Sequence, residues 1–152
     1  MLELPHTIVG AAIAAKIGNP ALSLPLALAS HFALDLLPHW NPHLNTELNK
    51  FGRLSNKTLT FIATDVFLSL AGGLLIASTV LPDQSKFMYV ITGAFMGVLP
   101  DVLEAPHFLT SLRIWPIEKL LKFQKSIQND APPFLGILTQ VLLLVAVFAW
   151  VF

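Results

Sequence analysis

FLGILTQVLLLVAVFAWVF, residues 134–152, contains no charged side chain. A helix needs about 20 mostly apolar residues to cross a bilayer core, and this segment is that long. Working back along the chain, Leu59–Leu81 is equally apolar, with Asp65 as its only charge. Phe87–Leu103 is shorter and carries Asp101 near its end, and Pro20–Leu37 carries His31 and Asp35. Thr7–Ile17 is apolar and rich in small residues, but at 1.5 Å rise per residue it is too short to cross alone. Gly18-Asn19-Pro20 reads as a tight turn, which makes Thr7–Ile17 and Pro20–Leu37 a helical hairpin. The expectation is an all-α integral membrane bundle of about five helices, three or four of them spanning, in a single domain over residues 1–152.

Composition agrees. Hydrophobic residues make up 55% of the chain and charged residues 12%, with a mean hydropathy of +0.70. A soluble domain carries about 25% charged residues, so this chain cannot cover a water-facing surface. Nine basic and nine acidic residues cancel, which leaves no field to attract nucleic acid. The absence of cysteine excludes disulfides, thiolate metal sites and a cysteine nucleophile. Glu3 is present, and no Lys or Arg precedes Lys16. The start therefore does not read as a signal peptide, and the segment is expected to remain attached.

The basic residues orient the bundle. Lys50, Arg53 and Lys57 follow the hairpin, Arg113, Lys119, Lys122 and Lys125 lie in the stretch from Pro106 to Pro133, and Pro82–Lys86 between them holds Lys86 alone. Helix counting puts the two basic loops on one side, the expected cytoplasmic side, together with the N-terminus. Trp40 and Trp115 fit interfacial anchors. Ile114–Ile127 has apolar residues at 117, 120, 121 and 127 and lysines at 119, 122 and 125, the pattern of a short helix lying in the interface. Gly72-Gly73 reads as close helix packing, Asn41–Asn49 as a polar loop containing a solvated His43, and Asn129-Asp130 as a cap on the last helix.

Ionisable residues inside apolar segments cost about 2.5–3.5 kcal/mol each at mid-bilayer. His31, Asp35 and His39 are spaced four apart, which on a helix is one face, with Pro38 interrupting before the third. Asp65 lies one to two turns into its helix. Asp101 and Glu104 sit at the end of theirs with His107 just beyond Pro106, and His6 begins the first. All fall in the cytoplasmic half. Histidines and carboxylates at one depth match the ligand set for zinc, manganese or iron, and a cation would relieve the repulsion among the acids. A weak internal echo runs through these residues: ASHFALDLLPHW (29–40) and MGVLPDVLEAPHF (96–108) each place an Asp ahead of Pro-His-aromatic. No G-x-S-x-G, H-E-x-x-H, Walker loop or G-x-G-x-x-G occurs.

With His6 four residues before Gly10 in a small-residue helix, Leu-Pro-Asp at 99–101, and His and Asp scattered over apolar helices, the chain resembles the small bacterial membrane-bound metal-dependent hydrolases. These are similar to the all-helical zinc phospholipase C and S1/P1 nuclease group. The family's His-Arg pair followed by Thr-His-Ser is absent, and on this resemblance residues 31–39 would supply the equivalent ligands. The expected activity is metal-dependent hydrolysis of a lipid or other amphiphilic (phospho)ester at the cytoplasmic face of a bacterial inner membrane. His31, Asp35, Asp101 and His107 are the leading ligands. His6, His39 and Asp65 are candidates for a second metal or for outer positions, and Glu104 or Asp65 for the base. Two other readings stay open: an ion or proton pathway, and a scaffold whose polar groups specify packing. The oligomeric state is also open.

Overall fold

The computed structural model describes residues 1–110 and 112–152. The described residues form seven α-helices: α1 Glu3–Ile17, α2 Pro20–Asp35, α3 Leu44–Phe51, α4 Asn56–Ser78, α5 Gln84–Thr110, α6 Trp115–Ile127 and α7 Pro133–Val151. Helices α4, α5 and α7 are long and apolar enough to cross a membrane. The hairpin helices α1 and α2 have 15 and 16 residues, or about 22–24 Å at the helical rise, short of a core about 30 Å thick. Their turn forms as the sequence predicts. Gly18 takes the left-handed conformation at φ 69°, the Asn19 side chain caps α2 through the Ala21 amide at 3.0 Å, and Pro20 opens the helix.

Helix α1 is the axis of the bundle, packed against α2, α4, α5 and α7. Small residues make this possible. Ile8, Ala11, Ala12 and Ala14 are fully buried with Ile76, Ala77 and Val90. Along the α1–α5 seam, a Cβ at Gly10 would strike the Gly93 carbonyl, and one at Gly97 would strike the His6 carbonyl. Lipid-embedded helices associate through this kind of close backbone approach, because burial of apolar surface gives no drive between them. Gly72 and Gly73 lie against Ile8 and Thr7 of α1, in keeping with their reading as packing residues.

The near end of the bundle collects the start of α1, the ends of α2 and α5, the first half of α4 and the start of α7, together with α3 and α6. Lys50, Arg53, Lys57, Arg113, Lys119, Lys122 and Lys125 all lie toward this end, and Lys16 and Lys86 toward the other.

Three details differ from expectation. Residues 44–51 form a helix where a polar loop was expected, so there are seven helices rather than five plus an interfacial one. Glu47 explains this: its carboxylate accepts from the Ser55 amide at 2.8 Å and the Thr58 hydroxyl at 2.6 Å, tying α3 to the start of α4. Helix α5 runs through Pro100 and Pro106 to Thr110 instead of stopping near Leu103. Each proline removes one donor from the helix ladder, and at the helix end the Thr110 hydroxyl donates to the Pro106 carbonyl at 2.7 Å. Helix α2 ends at Asp35, so His39 lies beyond the helical face expected to carry it. The segment around His39 is held instead by backbone pairing with 129–131.

Candidate metal centre

At the near end, His6 from α1, His31 from α2 and Asp101 from α5 each offer one ligand atom, all within 4.8 Å of one another. The His6 and His31 rings stack at 4.0 Å between centroids. Around them Asp35 links the set: its Oδ1 lies 3.5 Å from His6 Nε2 and 3.8 Å from His39 Nε2, and its Oδ2 lies 3.7 Å from His31 Nε2. His31 Nε2 is also 3.5 Å from Asp101 Oδ1. The Met1 amino group donates to Asp35 Oδ1 at 2.7 Å. His6, His31, His39 and Asp35 are fully buried. Asp101, its side chain 20% exposed, is the member that reaches the surface.

The backbone fixes which nitrogen of two of these rings is free. His31 Nδ1 lies 2.8 Å from the Gly97 carbonyl, and His39 Nδ1 lies 2.8 Å from the Leu37 carbonyl. A carbonyl only accepts, so each Nδ1 donates, and Nε2 turns toward the carboxylates. Metal-ligating histidines are oriented by this same second hydrogen bond. Burial lowers the His39 pKa, favouring the neutral ring a metal requires.

Both nitrogens of His6, Oδ2 of Asp35 and Nε2 of His39 are buried with no hydrogen-bond partner. A stranded buried polar atom costs about 1–3 kcal/mol, so four on adjoining side chains form an expensive arrangement. The separations account for it. Two ligands each about 2.1 Å from a tetrahedral ion stand about 3.4 Å apart. The 3.5–3.8 Å spacings from ring nitrogen to carboxylate are too long for good hydrogen bonds and close to such edges. By its donors and by these stranded atoms, the set fits a divalent cation.

Above the set opens a cleft of about 220 Å³. Its polar lining includes Glu3, Asp65, Asp101, Glu104 and Gln124, with Lys125 on the same cleft, and Phe61, Ile62, Phe108 and Leu109 form an apolar wall. Glu104 is buried and accepts from Gln124 Nε2 at 2.8 Å.

The other expected residues are placed differently. Asp65 lines the cleft, but its two oxygens accept from the Glu3 and Leu4 amides at 2.7 and 3.2 Å, capping α1 from α4. His107 lies inside α5, edge-on to Phe108 at 5.2 Å, outside the three-residue group. His43 precedes α3 on the rim of the cleft. Asn129 and Asp130 do not cap α7, whose N-cap position is Pro132 with no side-chain cap; instead the Asn129 backbone amide donates to the Asp35 carbonyl at 3.1 Å, and its carbonyl accepts from the His39 amide at 3.1 Å.

Sequence reasoning missed Glu3, Gln124 and Gln140. Gln140 accepts from the Leu2 amide at 3.0 Å and donates to the Trp40 carbonyl at 2.9 Å, fastening the segments next to His6 and His39 to α7. Its signal was available: a lone glutamine in an apolar span calls for a partner.

Comparison with family models, curated proteins and solved structures finds no match to the chain.

Proposed function

We propose that this chain is a membrane-embedded metal-dependent hydrolase. Its site faces the cytoplasm of a bacterial plasma membrane, and its substrate is a lipid or another amphiphilic ester or phosphoester. The observation that carries this reading is the set of unpartnered buried ligand atoms on His6, Asp35 and His39, beside a His31 whose second nitrogen faces carboxylate and amide oxygens. Nitrogen and oxygen donors suit zinc, and manganese or iron fit as well. The basic residues gathered at the near end favour the cytoplasmic orientation.

His6, His31 and Asp101 would hold the ion, with Asp35 behind them. When bound, such an ion would supply Lewis acidity and lower the pKa of a water. Glu104, buried at the cleft and within reach of its contents, accepts the proton. Asp65 is engaged with backbone amides and positions the start of α1. Phe61, Ile62, Phe108 and Leu109 provide a wall for an apolar chain while the polar part of the molecule sits over Asp101.

The test is metal content. Wild-type protein purified in detergent, alongside His31→Ala and Asp101→Ala, is analysed by plasma mass spectrometry before and after incubation with zinc, manganese or iron. About one equivalent or more in the wild type, lost in both variants, supports the reading and justifies a screen of lipid esters and phosphoesters. A folded wild type that takes up none overturns it in favour of a packing or proton-pathway role.

A further inference from the structure

Helix α6 is amphipathic, and its only buried residue is Gln124, at 2% exposure. A glutamine there runs against the pattern. Docking an interfacial helix on a bundle calls for a leucine at the deepest position, and burying an amide costs free energy unless both its ends are used. Both are used. Nε2 donates to Glu104 Oε1 at 2.8 Å, which turns Oε1 inward, where it stands 3.3 Å from His31 Nε2.

That second contact is the informative one. His31 Nδ1 already donates to the Gly97 carbonyl, so in the neutral ring Nε2 is a lone pair. It faces three oxygens: Gln124 Oε1 at 3.3 Å, Asp101 Oδ1 at 3.5 Å and Asp35 Oδ2 at 3.7 Å. A lone pair among acceptors is repelled by all of them. Either a proton on Nε2 or a cation between the oxygens makes the arrangement favourable; the unpartnered nitrogens of the stacked His6 ring beside it and three separations near the tetrahedral edge favour the cation.

Resting on the metal reading above, we infer that Gln124 belongs to the cation site: its side-chain carbonyl is an oxygen donor to the ion at His31, and its amide aims Glu104. The interfacial helix is then a wall of the site. Phe123 anchors it edge-on to Phe32, the neighbour of His31, at 5.4 Å between centroids, and Gln124 ties it to the ion. Cation binding and α6 docking stabilise one another.

The experiment compares wild type, Gln124→Met and Gln124→Glu in detergent. It measures zinc affinity by chelator competition and the melting temperature with and without zinc. Methionine keeps the volume and loses both polar ends, whereas glutamate keeps an oxygen facing the ion. Gln124→Met should bind zinc about 10–100-fold more weakly, the range seen when a group supporting a metal site is removed. Its zinc-dependent rise in melting temperature should shrink accordingly, while Gln124→Glu, which loses the donor to Glu104 and so has a lower metal-free melting temperature, keeps the zinc affinity and the zinc-dependent rise. Unchanged zinc affinity in Gln124→Met overturns the inference. So does a lower metal-free melting temperature with an unchanged zinc-dependent rise, because that is packing alone. Should Gln124→Met fail to fold, Gln124→Glu decides: retained zinc supports the oxygen donor, and zinc lost from a folded protein overturns it. A wild type that binds no zinc defeats the metal reading itself. Wild-type binding with an indifferent Gln124→Met defeats only the role of Gln124.

Discussion

Residues 29–40 and 96–108 share an Asp followed by Pro-His-aromatic, yet they fold differently. In the first, the helix stops at Asp35 and the chain turns back, so that His39 Nε2 comes within 3.8 Å of the Asp35 carboxylate. In the second, the helix continues through Pro106, and His107 stays on its flank, outside the group of His6, His31 and Asp101. Proline costs both segments a donor, so proline is not the difference. Strand-like pairing is. The His39 amide and carbonyl bond to Asn129 and Ala131 at 3.1 and 2.8 Å, which replaces what the helix would have supplied, and residues 101–108 have no such partner among the described residues. The lesson is that a Pro-His step turns its ring back toward the helix-end carboxylate only where another segment takes over its backbone hydrogen bonds.

The sharpest way to break the first arrangement is Gly136. A Cβ there would collide with the Trp40 amide and the His39 carbonyl carbon, so the turn can lie on α7 only over a glycine. Gly136→Leu should remove about 1–3 kcal/mol or more of stability by overpacking, and should displace His39 with it. Thermal unfolding in detergent, followed by metal analysis of the folded fraction, checks both. A variant as stable and metal-loaded as wild type would show that the turn does not depend on this contact.

The histidines themselves give the next largest effect. His39→Ala should lower metal affinity about 10–100-fold, while His107→Ala should leave it unchanged. Chelator competition on the two variants measures the contrast directly. Equal losses would mean that both halves contribute to the site and that the asymmetry between them is not functional.

Much of the near end was legible from sequence because it rests on local rules. Hydropathy marks α4, α5 and α7, Gly18-Asn19-Pro20 marks the hairpin turn, and four-residue spacing puts His31 and Asp35 on one face. What escaped depends on partners far along the chain. Asp65 reads as an isolated charge until the α1 amides come to rest on it. Gln124 reads as one more polar residue on an interfacial helix until Glu104 and His31 meet it. Helix α5 outruns the expected stop because a proline breaks a helix only when the surroundings offer the backbone something better. The four-residue spacing of Gly93 and Gly97, with Gly10 opposite, is a packing signal of the small-residue kind that went unread beside Gly72-Gly73, and at Gly97 it lets the His6 backbone and the His31 ring approach one another.

The smallest effect tests the strap that holds His39. Lys125 Nζ donates to Asp130 Oδ2 at 2.8 Å across the end of α6 and the segment pairing with His39, with the two side chains 61% and 39% exposed. The lysine holds the Asp130 pKa below its ordinary 3.8. A carboxylate whose pKa is lower in the folded state contributes its stability above its unfolded pKa, and loses it as pH falls through the folded one. Asp130→Asn should therefore cost little at neutral pH, within the roughly 0.2–1 kcal/mol of an exposed pair, and the difference from wild type should vanish in acid below the ordinary aspartate range. Melting temperatures of the two proteins at pH 7 and at strongly acidic pH, in low and high salt, make the comparison, with screening expected to narrow the neutral gap. A large neutral effect would mean that the ion pair, rather than the backbone pairing of His39 with Asn129 and Ala131, keeps the first segment from continuing as a helix like the second.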